Sequence, residues 1–292
     1  MTGTLWQPRS GCGPGCLPST GDIPAVPVPV RLLRLLRLFG VALAAALTLP
    51  LLAFAAPATR RRALSRYAGR ALSALDVRLS VRGTVRQRRA LVVANHISWL
   101  DILVLLAGAP DPATFRLVAK TEVRGWPVVG AFAAIVGTIF IDRSRPRSLP
   151  ATVAAVQRAL CAGDRVAVFP EGTTSCGRRA GAFRPAMFQA AVGAGAAVVS
   201  LRLRYQLPAG TATTAPAFIG DENLLRSLRR ILALPGLRAE VTVRTAIHPE
   251  TGDDRPGPGA SRRLLAHLAA GAVAGTWPNP TPAPRETLPV AA

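Results

Sequence analysis

The sequence is poor in aromatic residues and in negative charge. Aromatic residues make up 5% of its 292 positions, and 36 lysines and arginines outnumber 15 acidic residues, giving a net charge of +21. A nucleic-acid reader combines basic patches with interleaved aromatic side chains, so this composition argues against nucleic acid as a partner. A basic chain that is half apolar suits an anionic membrane surface. Because Lys120 is the only lysine, a single arginine carries little information on function.

Cysteine and histidine are also scarce. The four cysteines, Cys12, Cys16, Cys161 and Cys176, do not make a pair of CxxC motifs, and their scatter argues against a metal site or a disulfide framework. We therefore expect reduced thiols that face the cytosol. Only three histidines occur, so His96 stands out, because it shares the apolar run VVANHISWLDILVLL with an asparagine and an aspartate.

Composition along the chain predicts one main domain between two loose ends. Residues 1–30 and 276–292 are rich in glycine and proline and are predicted to be disordered tails. Residues 31–62 are predicted to anchor the chain to a membrane. Residues 63–275 are numerous enough to bury one sizeable core, and they form the predicted main domain.

The predicted anchor contains 22 consecutive residues without a charge, 38–59, which as helix would span about 33 Å against roughly 30 Å of bilayer hydrocarbon. Arginines flank this run on both sides, so the positive-inside rule gives no orientation. Two alternatives stay open: a helix that spans the bilayer, or a helix hairpin kinked near Pro50 that enters one leaflet. A cleaved signal peptide is disfavoured, because the run is too long and too far from Met1.

Short apolar strand candidates alternate with helix candidates after the anchor. The predicted strands are 76–83, 91–95, 115–119, 138–142, 165–169, 197–205 and 239–247, and the predicted helices are 97–108, 126–136 and 150–161. This alternation predicts an α/β fold with a central, mostly parallel sheet flanked by helices. The active site of such a fold lies at the carboxyl ends of the strands.

Polar residues coincide with these predicted strand ends. His96, the pair Asp142 and Arg143, and Glu171 each follow a predicted strand, and Lys120 ends another. If the strands are parallel neighbours in one sheet, its carboxyl edge brings these side chains together.

His96 and Asp101 are five positions apart, about 140° around a continuous helix, so a helix alone would not pair them. If Ser98 caps a helix, Asp101 lies in its first turn and His96 folds back, so that the carboxylate orients the imidazole as a base. The alternative is an ordinary capping box of Ser98 and Asp101 beside a histidine without a catalytic role. The sequence has no GxSxG nucleophile elbow, so a hydroxyl of the substrate is the expected nucleophile.

Four blocks in order resemble the glycerolipid acyltransferases, the family that includes lysophosphatidic acid acyltransferase. They are NHISWLD (95–101), which matches NHxxxxD, then VAKTEVRGWPVVG (118–130), GTIFIDR (137–143) and FPEGTTS (169–175). The resemblance implies that His96 is the general base and that Asp101 orients it, while a lysolipid hydroxyl attacks the thioester of acyl-CoA or acyl carrier protein. It implies no covalent acyl-enzyme, no metal and no cofactor beyond that thioester.

The same resemblance implies that Arg143, Glu171 and Gly172 hold the acyl acceptor, and Thr173 and Thr174 of the same block are further candidates. Lys120, at a predicted strand end, is a candidate to bind an acidic acceptor or donor. The alternative for Lys120 and for Arg143 is an ordinary surface charge. The planar donor fork of arginine suits a phosphate group. A glycine lets the backbone approach a ligand closely.

Two departures from the family pattern bear on the acceptor and on packing. Thr174 stands where members that acylate glycerol phosphate often have arginine, and Ser200 stands where a strand proline is usual. The acceptor expected first is 1-acylglycerol-3-phosphate, which would give phosphatidic acid. Lyso-ornithine lipid is the alternative, because FPEGTTS and AFIGDENLLRSL (217–228) also resemble the branch that acylates it.

Two remote alternatives are a noncatalytic lipid-binding membrane protein, which would leave His96, Asp101 and Glu171 unexplained, and a membrane thioesterase. We expect the protein at a bacterial inner membrane, with its catalytic domain toward the cytoplasm.

Overall fold

A seven-stranded sheet forms the centre of the protein. The computed structural model describes residue 8 and residues 10–19, 21–126, 129–178, 181–249 and 258–275. The strands are β1 (Val77–Arg82), β2 (Ala90–Ala94), β3 (Phe115–Lys120), β4 (Ile139–Ile141), β5 (Arg165–Val168), β6 (Ala197–Gln206) and β7 (Leu237–Ile247). The helices are α1 (Val28–Phe54), α2 (Pro57–Ala74), α3 (Leu100–Ala107), α4 (Val129–Ile135), α5 (Leu149–Cys161), α6 (Phe188–Ala194), α7 (Leu224–Ala233) and α8 (Pro258–Ala274).

The strand order is β1-β7-β6-β2-β5-β3-β4. The strands β6, β2, β5, β3 and β4 are mutually parallel, whereas β7 pairs antiparallel with β6 and parallel with β1. The prediction of a central, mostly parallel sheet is therefore confirmed. Every residue of β2 is buried, which explains its continuous apolar sequence, because a parallel strand at the centre of a sheet is covered on both faces.

Helices cover both faces of the sheet. Alternate residues of β2 point to different cores: Val92 belongs to one hydrophobic cluster with residues of α2, α3 and α7, and Leu91 belongs to another with residues of α5, α6 and α8. This alternation is the period of two expected of a strand. The predicted helices correspond to α3, α4 and α5, and the predicted strands to β1 through β7.

The predicted membrane anchor is a helix hairpin. Helix α1 ends at Phe54 and α2 begins at Pro57, so the uncharged run 38–59 is divided between two helices. The Thr48 hydroxyl lies 2.8 Å from the Tyr67 hydroxyl, which places α2 back against α1. The Arg60 guanidinium donates to the carbonyls of Ala53 and Ala55, both at 2.7 Å, and so satisfies carbonyls that the end of α1 leaves unpaired.

Both helices of the hairpin are fastened to the domain by buried arginines. Arg34 of α1 donates to the carbonyls of Leu232 and Leu234 and forms an ion pair with Asp76. Arg61 of α2 forms an ion pair with Asp164 at 2.8 Å. These contacts hold α1 along the side of the domain.

The outer side of α1 is a stripe of exposed apolar side chains: Leu32, Leu36, Phe39, Leu43, Leu47, Leu51 and Phe54. Among the described residues, α1 is the one helix that is long and apolar enough to cross a membrane by length and composition.

The structure differs from the predicted disordered tail over residues 1–30. In its described part, Cys12, Cys16, Leu17 and Ile23 pack against the core, and the Val26 amide donates to the Ala233 carbonyl at 2.9 Å. The apolar side chains within this stretch make these contacts, although the glycine and proline content of the stretch predicts disorder. The tail predicted over 276–292 lies outside the described residues.

Candidate active site

The carboxyl ends of the parallel strands bring the predicted polar residues to one edge of the sheet. Strands β2 and β5 are direct neighbours, and the loops that follow them carry His96 and Glu171. The Glu171 carboxylate accepts a hydrogen bond from the His96 amide at 3.2 Å. Lys120 ends β3 and Arg143 follows β4 at the same edge, as predicted from the strand ends.

His96 and Asp101 form a direct pair. The His96 Nδ1 and Asp101 Oδ2 atoms are 2.9 Å apart, and Asp101 is completely buried in the first turn of α3. The same oxygen accepts from the amides of Ile97 at 2.6 Å and Ser98 at 2.9 Å. A tight turn between β2 and α3 therefore achieves the pairing that a continuous helix would not.

The capping alternative is present in part in the same turn, because the N-cap residue of α3 is Trp99 and the Asp101 amide donates to the Ser98 backbone carbonyl. The Asp101 carboxylate accepts from the Ser98 amide at 2.9 Å, and the Ser98 hydroxyl accepts from the Leu100 amide at 3.3 Å. The carboxylate thus closes the start of α3 and holds the imidazole at once. One side chain therefore makes the hydrogen bonds of both alternatives: one with the imidazole and one with the Ser98 amide.

A carboxylate ion can only accept hydrogen bonds, so Nδ1 of His96 must donate to Asp101. This fixes the tautomer and leaves Nε2 as the ring nitrogen able to take a proton. Phe169 stacks on the imidazole with ring centroids 4.0 Å apart and planes 12° from parallel. The Ser175 amide donates to the His96 carbonyl at 2.8 Å. Asp101 and Phe169 therefore hold the ring, and the Ser175 amide holds the backbone that carries it, with 17% of the side chain exposed.

Tyr205 is a site residue that sequence reasoning missed. It is buried near the end of β6, and its hydroxyl donates to Asp101 Oδ1 at 2.7 Å. Burial raises the pKa of Tyr205 well above its usual value, and the Asp101 charge adds to this, so the hydroxyl remains a donor. The available signal was weak: one of only two tyrosines in the chain lies near the end of a predicted strand.

Asn95, the remaining polar residue of the apolar run, is structural. Its side-chain amide donates to the Leu203 carbonyl at 3.1 Å, and its oxygen accepts from the Leu203 amide at 2.8 Å. Asn95 therefore ties the end of β2 to β6, which brings Tyr205 toward Asp101. A buried amide is tolerated here because its hydrogen bonds are made.

Glu171 is buried against the backbone of His96. Burial raises its pKa to about 7, although hydrogen bonds from His96, Ser175 and Gly181 act in the opposite direction. A Cβ atom at Gly181 would lie 2.7 Å from a Glu171 carboxylate oxygen, so a glycine is needed for this approach. Glu171 can therefore hold or release a proton near neutral pH next to the backbone of His96.

Positive charge surrounds the loop that carries Glu171. The Arg143 guanidinium donates to the Gly172 carbonyl. Partial burial lowers the pKa of Lys120, and the charge of nearby Arg143 lowers it further, while Glu122 opposes both effects. Arg184 is close enough to act on Arg143 in the same way. This cationic edge, formed by Lys120, Arg143 and Arg184, suits an anionic group on a substrate.

The threonines of the same loop behave differently from a phosphate-binding arginine. Thr173 is half-buried. The Thr174 hydroxyl donates to the Phe218 carbonyl and is therefore engaged within the protein. Gly172 adopts a φ of 72°, which favours glycine at this turn. Pro8 packs against Gly172, since a Cβ atom there would lie 2.7 Å from the proline ring.

Three of the four cysteines lie together in the structure, although they are scattered along the sequence. The sulfur atoms of Cys12, Cys16 and Cys176 all lie within 4.8 Å of one another. The fold brings the N-terminal segment against the loop after β5, so a separation of 160 residues along the chain does not keep these thiols apart. We call these three residues the thiol cluster.

An α/β domain that presents an oriented histidine and a buried glutamate at the carboxyl edge of its sheet has the architecture of an enzyme. Comparison with known proteins specifies which kind. Residues 77–204 match the family described as Acyltransferase.

Over 201 residues the chain is 35% identical to the 1-acyl-sn-glycerol-3-phosphate acyltransferase of Neisseria gonorrhoeae, covering 68% of this chain and 77% of that protein. Over 214 residues it is 36% identical to the lyso-ornithine lipid O-acyltransferase of Pseudomonas aeruginosa, covering 73% and 78%. The crystal structure of the 1-acyl-sn-glycerophosphate (LPA) acyltransferase PlsC from Thermotoga maritima shares the fold, with a TM-score of 0.58 at 19% identity over 84% of this chain and 96% of that one. The chain belongs to the acyltransferase family, and the protein is an enzyme.

Proposed function

We propose that the protein transfers a fatty acyl group from a thioester, acyl-CoA or acyl carrier protein, to the free hydroxyl of a lysolipid. The observation that carries this proposal is the His96–Asp101 pair, held beside Glu171 at the cationic edge of the sheet. The acceptor we favour is 1-acylglycerol-3-phosphate, and the product is then phosphatidic acid.

In the proposed reaction, Nε2 of neutral His96 takes the proton of the acceptor hydroxyl as its oxygen attacks the thioester carbon. Asp101 accepts the Nδ1 hydrogen bond throughout and stabilises the imidazolium that forms. The tetrahedral intermediate then collapses, the C–S bond breaks, and the imidazolium returns the proton to the departing thiolate. General-base assistance of this kind contributes about 10²–10⁴-fold. The scheme needs no acyl-enzyme, metal or further cofactor.

The cationic edge supports a phosphate-bearing acceptor. Arg143 and Lys120 place positive charge around the loop of Glu171 and Gly172, and a phosphate monoester carries the charge that such a site binds. Thr173 and Gly172 line the same loop and are proposed to contact the acceptor. The gonococcal relative carries the name of this activity.

Lyso-ornithine lipid is the second candidate acceptor. Its support is Thr174, whose hydroxyl is used by the Phe218 carbonyl where an arginine would have offered a phosphate two donors. Loss of one charge-assisted contact weakens phosphate binding by about 1.5–3 kcal/mol. The Pseudomonas relative carries the name of this second activity.

We further propose that the hairpin enters one leaflet rather than spanning the bilayer. Buried Arg34 and Arg61 fasten both helices to the domain, so α1 cannot extend across the membrane without breaking those contacts. Its exposed stripe, together with exposed Leu225 at the start of α7, would face the lipid. The proposed location is a bacterial inner membrane, with the catalytic domain on the cytoplasmic side.

The test offers both acceptors at once. Purified protein in detergent receives acyl carrier protein thioester or acyl-CoA with equal amounts of lysophosphatidic acid and lyso-ornithine lipid, and mass spectrometry resolves the products. We expect phosphatidic acid to predominate and Thr174→Arg to shift the ratio further in its favour. Arg143→Ala should reduce phosphatidic acid roughly 10–150-fold, the equivalent of one charge-assisted contact.

Arg147→Ala provides the matched control, because Arg147 is exposed in the segment that follows β4. It should leave both rates unchanged. Predominant acylation of lyso-ornithine lipid by the wild type would select the second acceptor. Failure to acylate either lipid would refute the proposed reaction.

A further inference from the structure

The thiol cluster lies outside the catalytic pair and joins two distant parts of the chain. Cys12 precedes a single turn of 3-10 helix, Pro14–Cys16, in the N-terminal segment, and Cys16 ends that turn. Buried Cys176 directly follows Ser175 in the loop after β5. The Cys176 amide donates to the Cys12 sulfur at 3.2 Å. All three residues are free cysteines, with their sulfurs within 4.8 Å of one another.

The geometry of the cluster suits one metal ion held by three thiolates. Sulfurs bound at about 2.3 Å to a tetrahedral Zn²⁺ lie about 3.8 Å apart, so shifts of roughly 1 Å convert the observed arrangement into a coordination site. A disulfide would join only two of the thiols and leave the third unused. Thiolates are soft ligands that select Zn²⁺ over the hard cations Mg²⁺ and Ca²⁺.

Two thiols of the cluster differ in how easily they lose a proton. Burial raises the pKa of Cys12, but hydrogen bonds from Ser10 and from the backbone of Cys176 more than offset it, so the pKa is lowered. Burial raises the pKa of Cys176. A bound cation would stabilise the deprotonated form of all three, because metal binding releases thiol protons.

A metal ion at this cluster would join the N-terminal segment to the loop after β5. The Ser175 amide, next to Cys176, donates to the His96 carbonyl, and Pro8 packs on Gly172. The Thr214 hydroxyl donates to the Cys16 carbonyl at 2.7 Å. The N-terminal segment therefore crosses the loop that carries Glu171, and the cluster is one of the points at which it is attached.

We propose that Cys12, Cys16 and Cys176 bind one Zn²⁺ ion, which fastens the N-terminal segment across the loop that follows β5. A fourth ligand, such as water, completes the coordination. Binding of the ion is independent of the acyl-transfer reaction, so it can be tested without an activity assay.

The experiment uses the whole 292-residue chain in detergent, purified under reducing conditions and equilibrated with ZnCl₂. We expect one zinc per chain by elemental analysis. Cobalt substitution should give a thiolate-to-Co²⁺ charge-transfer band. Cys12→Ser and Cys16→Ser should each weaken Zn²⁺ binding roughly 100-fold or more, since loss of an outer-shell partner alone costs about 10–100-fold. Zn²⁺ should also protect the N-terminal segment from limited proteolysis.

Cys161→Ser is the matched control, because Cys161 is exposed at the end of α5, and it should bind zinc as the wild type does. Cys12 and Cys16 lie outside the sheet and its helices, so their variants retain the domain even if Cys176→Ser fails to fold; circular dichroism verifies this. Absence of stoichiometric zinc, or equal loss in Cys161→Ser and Cys12→Ser, would overturn the proposal. Recovery of a disulfide among the three cysteines after thiol blocking at lysis would replace it with a redox bridge.

Discussion

Replacement of Asp101 by asparagine is the most informative change to the proposed catalytic pair. The carboxylate is completely buried and accepts four hydrogen bonds: from His96 Nδ1 at 2.9 Å, the Ile97 amide at 2.6 Å, the Ser98 amide at 2.9 Å and the Tyr205 hydroxyl at 2.7 Å. Oδ2 accepts three of these bonds and Oδ1 accepts one, so the acceptor capacity of Oδ2 is fully used. Asparagine has the same shape, but it offers one oxygen and one NH₂ group and carries no charge.

The cost to stability follows from these four bonds. The amide oxygen can replace Oδ2 and keep three of them, while the NH₂ group faces the Tyr205 hydroxyl, which can rotate to accept. Each retained bond changes from a charge-assisted contact of about 1.5–3 kcal/mol to a neutral one of about 0.5–1.5 kcal/mol. The variant should therefore fold, with its free energy of unfolding reduced by roughly 3 kcal/mol.

The cost to turnover is larger. A neutral amide does not stabilise the imidazolium, and if the NH₂ group faces His96 it selects the tautomer whose Nε2 already carries a proton. We expect kcat to fall about 10²–10⁴-fold, equivalent to about 2.7–5.5 kcal/mol of transition-state stabilisation. KM should change little, because Asp101 is buried and does not contact substrate.

The assay measures thiol release at saturating lysolipid, with urea unfolding as the check on folding. Tyr205→Phe is the matched comparison, because it removes one hydrogen bond to Asp101 but keeps the charge and the contact with His96. Its kcat should fall about tenfold or less, with a stability loss of about 1–3 kcal/mol. A folded Asp101→Asn variant with kcat within threefold of the wild type would refute the orienting role.

Three further predictions follow from the buried glutamate, the apolar stripe and the strand serine. The raised pKa of Glu171 means that the folded state keeps a proton that the unfolded state loses. The free energy of unfolding should therefore fall by about 3 kcal/mol as the pH rises from about 4.5 to 7. Unfolding experiments at several pH values should show that Glu171→Gln abolishes this pH dependence. The wild type should stay in the membrane fraction in high salt, because burial of apolar side chains is not screened by ions. The double substitution Leu43→Asp, Leu47→Asp should make the protein releasable by salt, because both side chains are exposed on α1. Salt release of the wild type would contradict lipid insertion. Ser200 is buried and donates to the Ala269 carbonyl at 3.3 Å, so Ser200→Ala should lower the free energy of unfolding by about 1–3 kcal/mol without changing kcat.

The positions of the strands and their polar ends could be predicted because they depend on local patterns. A buried parallel strand has a continuous apolar sequence, and the residue that follows it lies at the carboxyl edge whichever neighbour it has. This is why His96, Glu171 and Arg143 could be assigned to one site. The turn that pairs His96 with Asp101 was likewise accessible, because helix geometry excludes the alternative of a continuous helix.

Contacts between distant segments could not be predicted in this way. Tyr205 reaches Asp101 only because β6 lies beside β2, and the sequences of these two strands do not specify that they are neighbours. The antiparallel direction of β7 likewise depends on its pairing with β6, which the sequence of neither strand specifies. The thiol cluster depends on a segment whose glycine and proline content indicated disorder, while its cysteines and leucine supply the packing.

The hairpin illustrates a further limit. Composition identified the uncharged run, but Pro50 does not end the first helix, which continues to Phe54. The break is instead stabilised by Arg60, which donates to the carbonyls at the end of α1. From the sequence, the arginines on either side of the run indicate only contact with an anionic membrane surface. In the structure, Arg34 and Arg61 are buried and attach the hairpin to the domain.

The most direct test of the proposed reaction is the dependence of thiol release on the lysolipid. Purified protein is incubated with an acyl thioester, with or without lysophosphatidic acid, and free thiol and product lipid are measured together. The proposed reaction predicts that free thiol appears only when the acceptor is present, in an amount equal to that of phosphatidic acid. His96→Ala should abolish the formation of both while the circular dichroism spectrum is unchanged. Thiol release at the same rate without the lysolipid, or product formation by the His96→Ala variant, would contradict it.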